Sequence, residues 1–150
     1  MRAAGRDQLS QAVARAHRTG EALVVAFVDV DHLKQVNDEH GHTAGDSLLR
    51  AVGAALREGL RSYDVVVRYG GDEFVCALPD VGHTEAERRF IDVANLLSAE
   101  YQQASLSIGL AELQQGETVA QVIDRTDQEM YNRRRSRHTS PRVSTEQENR

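Results

Sequence analysis

At 150 residues, with 27% of them charged and a formal net charge of −5, the chain suits one domain with a real hydrophobic core. It lacks the basic surplus of a protein that grips nucleic-acid backbones, although a mononucleotide substrate stays open. Its single cysteine, Cys76, excludes an internal disulfide and reads as a small core residue, and no apolar run reaches the length of a membrane span or signal sequence, which points to a soluble, cytoplasmic protein.

In chain order, Gln8 to Arg18 carries Leu9, Ala12, Val13 and Ala16 at helical spacing and stops at Thr19-Gly20. Leu23 to Val28 is a continuous apolar run, a buried strand, and closes on Asp29-Val30-Asp31. From His32 to Asp46 a polar, glycine-punctuated stretch spells a short helix, a turn and the start of a longer helix. That second helix, Ala44 to Leu60, keeps Leu48, Leu49, Val52, Ala55, Leu56 and Leu60 on one face. Asp64 to Arg68 and Phe74 to Leu78 are strands joined by a tight turn. Thr84 to Ala99 repeats Ala86, Phe90, Val93, Ala94 and Leu97 as a third packing face. Ala104 to Leu113 alternates Leu106, Ile108 and Leu110 against Ser105, Ser107 and Gly109, a fourth strand, and Val119 to Tyr131 is the last helix. Residues 1–137 form the domain; 138–150, built of Ser, Thr, Pro, Gln, Glu and Asn, read as a disordered tail. The order β, α, β-hairpin, α, β predicts an α/β (α+β) sandwich with a central, mainly antiparallel sheet flanked by helices.

The most informative run is Arg68-Tyr69-Gly70-Gly71-Asp72-Glu73-Phe74. Two glycines free the turn for positive φ and leave no Cβ, so a triphosphate or a second chain can come close to the main chain. Asp72 and Glu73 then point to opposite sides of the strand start. A Gly-Gly hairpin with solvated acids has the same local sequence, but Asp29 and Asp31 end the neighbouring strand. Carboxylates gathered from two strand ends suit a hard divalent cation such as Mg²⁺ or Mn²⁺, which takes oxygen ligands and keeps waters for substrate phosphates.

With these pieces in place the chain resembles the GGDEF family of diguanylate cyclases. The matching residues are Asp29-Val-Asp31, Lys34, Asn37-Asp38, Gly41-His42, Gly45-Asp46, the Arg68 to Phe74 run, Ser107-Ile-Gly109 and, more weakly, Asp127 to Tyr131; they cover roughly residues 22 to 135. The resemblance implies a palm-like fold and condensation of two GTP into cyclic di-GMP, the 3′-hydroxyl of one attacking the α-phosphate of the other. It implies a homodimer for catalysis; charge and apolar run lengths give no nucleic-acid partner and no membrane segment.

By position the resemblance makes Asp29, the Val30 carbonyl and Asp72 the metal ligands, Asp72 also the base, and Glu73 a shaper of the site or second-metal ligand. Asn37 and Asp46 read the guanine edge, where an amide and a carboxylate can pair with ring donors and acceptors, and His42 contacts substrate. The amides of His32, Leu33 and Lys34 open a helix beside Asp31, a ready anion site for the β- and γ-phosphates, and Gly70 and Gly71 admit the substrate. Lys34, the only lysine beside 17 arginines, falls inside this motif, which suggests a phosphate or structural role.

The chain departs from the family pattern in two places. The phosphate-binding lysine near the end becomes Arg134, a planar fork in place of a compact ammonium, and the phenylalanine before Lys34 becomes Leu33. Arg133, Arg135 and Arg137 crowd the same helix end, where positive charge offsets the helix dipole. The family's opening Leu-Thr segment is missing, which suggests truncation or a stand-alone domain with a loosened entry. Arg61-Ser-Tyr-Asp64 matches the family's product-inhibition motif, and an Arg and an Asp in one turn can bind a guanine and its phosphate; out of context Arg-x-x-Asp is usually a surface pair, but at this spacing ahead of the hairpin strand it reads as the functional site. The competing reading is a GGDEF-like module without turnover that senses GTP or cyclic di-GMP; a class III nucleotide cyclase or another palm-type transferase could share the acids but not Asn37, Asp46 and the Arg61/Asp64 pair.

Overall fold

A computed structural model of the chain describes residues 2–139. The apolar run Leu23–Val30 forms β1 and lies inside a four-stranded antiparallel sheet ordered β2-β3-β1-β4, with β2 at Val65–Arg68, β3 at Glu73–Pro79 and β4 at Leu106–Glu112. Flanked on both edges and covered on both faces, β1 reads as a continuous apolar run instead of an alternating one.

Its side chains divide between two cores. Val24, Ala26, Val28 and Val30 pack with Leu48, Val52 and Leu56 of α3 (His42–Gly59) and Phe90 and Val93 of α4 (His83–Glu100). Leu23, Val25 and Phe27 pack with Leu9 and Val13 of α1 (Ala3–Thr19) and Val122 and Ile123 of α5 (Val119–Thr139). Helices thus cover both sides of the sheet, as expected. The short α2 (Leu33–His40) is separated from α3 by Gly41 at φ +87°, a left-handed turn that lets the chain reverse between them.

Two helices are longer than their periodicity predicts. α1 begins at Ala3, and its Gly5 lies against Val67 of β2, so closely that a Cβ there would press on the valine side chain. α5 runs on through Thr139, past Tyr131 and two residues into the expected tail. The stretch around Arg133 and Arg134 shows no apolar pattern and is anchored by polar contacts, Arg133 to Glu129 and Arg134 to Asp29 and Asp31. The remainder of that segment, 140–150, lies outside the described residues.

The hairpin corrects one expectation. Neither Gly70 nor Gly71 takes positive φ. The connection spans residues 69–72 and is closed by the Tyr69 N–H donating to the Glu73 carbonyl at 2.8 Å, so it is not the two-residue primed turn that demands a left-handed glycine.

Candidate active site

The site lies where β1 ends. Asp29 stands in register with Glu73 of β3 on one side and Ser107 of β4 on the other, and the two-residue strand period puts Asp31 on that same face, the one covered by α5. Asp31 accepts hydrogen bonds from the hydroxyls of Ser105 and Ser107, both at 2.6 Å. Arg134 comes down from α5: its Nη2 donates to Asp29 Oδ2 at 3.2 Å and to Asp31 Oδ1 at 3.1 Å, and its Nε donates to Ser107 Oγ at 3.2 Å. Gly109 lets α5 lie that deep. A Cβ at Gly109 would strike the Thr126 carbonyl and stand 2.6 Å from the Met130 nitrogen.

The acids repel one another. Burial, and then the charge of Asp72, raise the Asp29 pKa to about 6, against the opposing pull of Arg134. Glu73 is raised by burial and by the charges of Asp72 and Asp127. Such a set is costly to ionise without a cation. The Val30 N–H donates to the Asp72 carbonyl at 2.9 Å, which ties the hairpin to the end of β1; because a strand residue's N–H and C=O share one edge, the Val30 carbonyl faces the hairpin too. Two carboxylates and a carbonyl, all hard oxygen donors, fit a divalent cation of the Mg²⁺ kind. Among the described residues no three Asp, Glu, His or Cys side chains form a ligand group on their own.

Arg68 holds the turn. Its Nε donates to the Gly70 carbonyl at 3.3 Å and its Nη2 to the Gly71 carbonyl at 2.8 Å. A Cβ on Gly71 would meet nothing within 4 Å, whereas one on Gly70 would press on the Glu73 carboxylate. The turn is therefore open to an approaching molecule at Gly71.

Next to β1, His32 takes a left-handed φ of 61° and starts α2, so the Leu33 and Lys34 amides fall in its first turn, where N–H groups lack helical acceptors. Asn37 lies against Gly45 at the start of α3: a Cβ at Gly45 would come within 2.8 Å of Asn37 Cγ, and the Asn37 Oδ1 is buried without a hydrogen-bond partner among the described residues. The exposed Asp46 and His42 sit on the same first turns of α3. These residues belong to α2 and α3, which pack on the face of β1 opposite the one that α5 covers.

Arg61 and Asp64 lie elsewhere, by Pro79, at the end of the sheet opposite the hairpin, since Leu23 pairs with Pro79 and Asp29 with Glu73. The Asp64 side chain is fully buried and accepts from Arg61 Nη2 at 2.8 Å and from the Arg61 main-chain N–H at 2.7 Å. Arg61 also donates to the Pro79 carbonyl at 2.6 Å and lies 4.4 Å over the Tyr63 ring. The pair borders a hollow of about 840 Å³ whose walls include Gln11, Arg15, Arg57 and Tyr63. Asp64 thus faces Arg61 instead of offering its carboxylate to solvent.

Sequence reasoning gave no role to Arg68 or Ser105. The Ser105/Ser107 alternation at the start of β4 was the available signal.

The family profile described as diguanylate cyclase, GGDEF domain, matches residues 2–140. The chain is 37% identical over 142 residues to the diguanylate cyclase DgcP of Pseudomonas aeruginosa, covering 90% of this chain and 21% of DgcP. It is 36% identical over 127 residues to the diguanylate cyclase DosC of Escherichia coli K12, covering 79% of this chain and 28% of DosC, so it spans under a third of either relative. The GGDEF domain of DgcB from Caulobacter crescentus, solved in complex with c-di-GMP, superposes with a TM-score of 0.80 at 27% identity, covering 87% of this chain and 82% of that one.

Proposed function

The chain belongs to the GGDEF diguanylate cyclase family, and on that footing we propose that it condenses two GTP molecules into cyclic di-GMP and releases pyrophosphate. One observation carries the reading: the mutually repelling acids Asp29, Asp72 and Glu73 meet at one strand end, beside the first turn of α2 and an open Gly71.

Asp29, the Val30 carbonyl and Asp72 would hold Mg²⁺ or Mn²⁺, which when bound supplies the positive charge that phosphoryl transfer needs on the triphosphate oxygens. The amides of His32, Leu33 and Lys34, with the Lys34 ammonium, bind the β- and γ-phosphates. Asn37 and Asp46 hydrogen-bond the guanine edge, and His42 lines the same pocket. Gly45 sets the position of Asn37, because no larger residue leaves that amide its place. Asp72 takes the proton of the attacking 3′-hydroxyl, and Glu73 beside it shapes the site or holds a second metal.

Each chain holds one set of acids and one guanine pocket, while the product joins two guanosines symmetrically. Two chains therefore face each other across their Gly70-Gly71 turns, an isologous encounter. GTP places the reaction in the cytoplasm. At the far end of the sheet Arg61 binds cyclic di-GMP as a feedback site, with Asp64 as the buried anchor that aims it.

A second reading, a module that binds GTP or cyclic di-GMP without turnover, draws on the engagement of Arg134 with Asp29 and Asp31. Kinetics separate the two. The catalytic reading expects specific activity to rise with protein concentration and Asp72→Ala chains to poison wild type on mixing. Activity flat on dilution, below the concentration at which light scattering reports monomers, would refute the dimeric arrangement, and binding of GTP without product at any concentration would establish the second reading.

A further inference from the structure

We infer that Arg134 is the resident counter-ion of the metal carboxylates, so that a divalent cation enters this site only by taking Asp29 from Arg134. The inference rests on the reading of Asp29 as a metal ligand and adds an order of events to it.

The guanidinium spans three oxygens at once: Asp29 Oδ2 at 3.2 Å, Asp31 Oδ1 at 3.1 Å and Ser107 Oγ at 3.2 Å. A planar fork can do this; an ammonium reaches one point. The depth of α5, set by Gly109, fixes the fork's starting position, and the neighbouring Arg133 turns elsewhere, to Glu129 at 3.1 Å.

The two acids depend on Arg134 unequally. Asp31 keeps the hydroxyls of Ser105 and Ser107 if Arg134 leaves. Asp29 does not: among the described residues, Arg134 is the one side chain that donates to its carboxylate. A divalent cation held by the Asp29 carboxylate would repel the guanidinium that shares it. Arg134 must then swing away from Asp29. Its side chain is more than a third exposed and sits on the last turns of a helix, so the path is open, and the freed guanidinium becomes available to the substrate's phosphates. Cation binding thus arms the phosphate-binding arginine.

The test measures Mn²⁺ binding to the nucleotide-free protein by electron paramagnetic resonance in wild type, Arg134→Gln and Asp29→Asn, with circular dichroism to check folding. Arg134→Gln is expected to tighten Mn²⁺ binding by roughly two- to tenfold, the range that two half-exposed ion pairs supply, and Asp29→Asn to abolish it. Equal or weaker binding in Arg134→Gln, undetectable binding in both included, overturns the counter-ion role, and if Asp29→Asn still loses the ion the metal reading stands without it. Binding retained in Asp29→Asn overturns the metal reading itself. A measurement on wild type covers the case of a misfolded variant: the Arg134 Nε–H resonance should shift as Mg²⁺ is added, and a resonance that stays put at saturation sinks the proposal.

Discussion

Gly109→Ala tests whether the depth of one helix governs the site. The new methyl group would stand 2.6 Å from the Met130 nitrogen and closer still to the Thr126 carbonyl, both main-chain atoms of α5 that no side-chain rotation can move. Restoring an ordinary contact of 3.4 Å at the Thr126 carbonyl requires the helix to retreat by about 1.4 Å. The retreat loosens Val122, Ile123 and Met130 from the second core, an overpacking cost of about 1–3 kcal/mol, or a fall in Tm of roughly 3–10 °C for a domain of this size. It also lifts Arg134, whose hydrogen bonds at 3.1–3.2 Å have little length to spare before they fail. Calorimetric melting and a GTP saturation curve read the two effects together: lower Tm and a changed KM for GTP. A variant that melts within a degree of wild type and turns over GTP with unchanged constants would show that α5 does not rest on β4 as described.

Asn37→Ala or Asp46→Ala should relax the preference for GTP over ATP by about 1–3 kcal/mol, since an edge-reading group left unpaired costs that much; a competition assay with unchanged selectivity would place base reading elsewhere. Arg61→Ala should raise the plateau of product and remove the calorimetric heat of cyclic di-GMP binding with the initial rate nearly unchanged, and Asp64→Asn should do the same by releasing Arg61; binding that survives Arg61→Ala excludes this site. The raised pKa of Asp29 predicts a pH signature in the metal-free protein: between the unfolded value near 3.8 and the folded value of about 6 the native state binds more protons than the unfolded one, so stability falls as pH rises through that window and then levels. Asp29→Asn should flatten that slope in chemical-denaturation curves, and an unaltered slope would mean that another group titrates there.

Much of the fold was legible in local pattern. The unbroken apolar run of β1 announced a strand buried on both faces, and the 3.6-residue faces of α3 and α4 announced the layer that covers it. The ends of α1 and α5 were not legible. Gly5 matters through Val67, sixty-two residues away, and α5 around Arg134 is held by polar contacts that leave no apolar period. In the site, the run from Arg68 to Phe74 marked the hairpin because glycines and acids rarely stand together between strands. That Arg134 would meet Asp29 and Asp31, and that Asp64 would turn inward to Arg61, depended on long-range packing that no spacing encodes. The left-handed turn expected at Gly70-Gly71 failed for a local reason: the loop is long enough to close without it.

The most direct measurement is a ³¹P time course of the wild-type chain, above the concentration at which it associates, with GTP and Mg²⁺. The account predicts pyrophosphate and cyclic di-GMP in a ratio of two to one, with Asp72→Ala producing neither while remaining folded. GDP with inorganic phosphate, a cyclic mononucleotide with one pyrophosphate each, or unchanged GTP would contradict it.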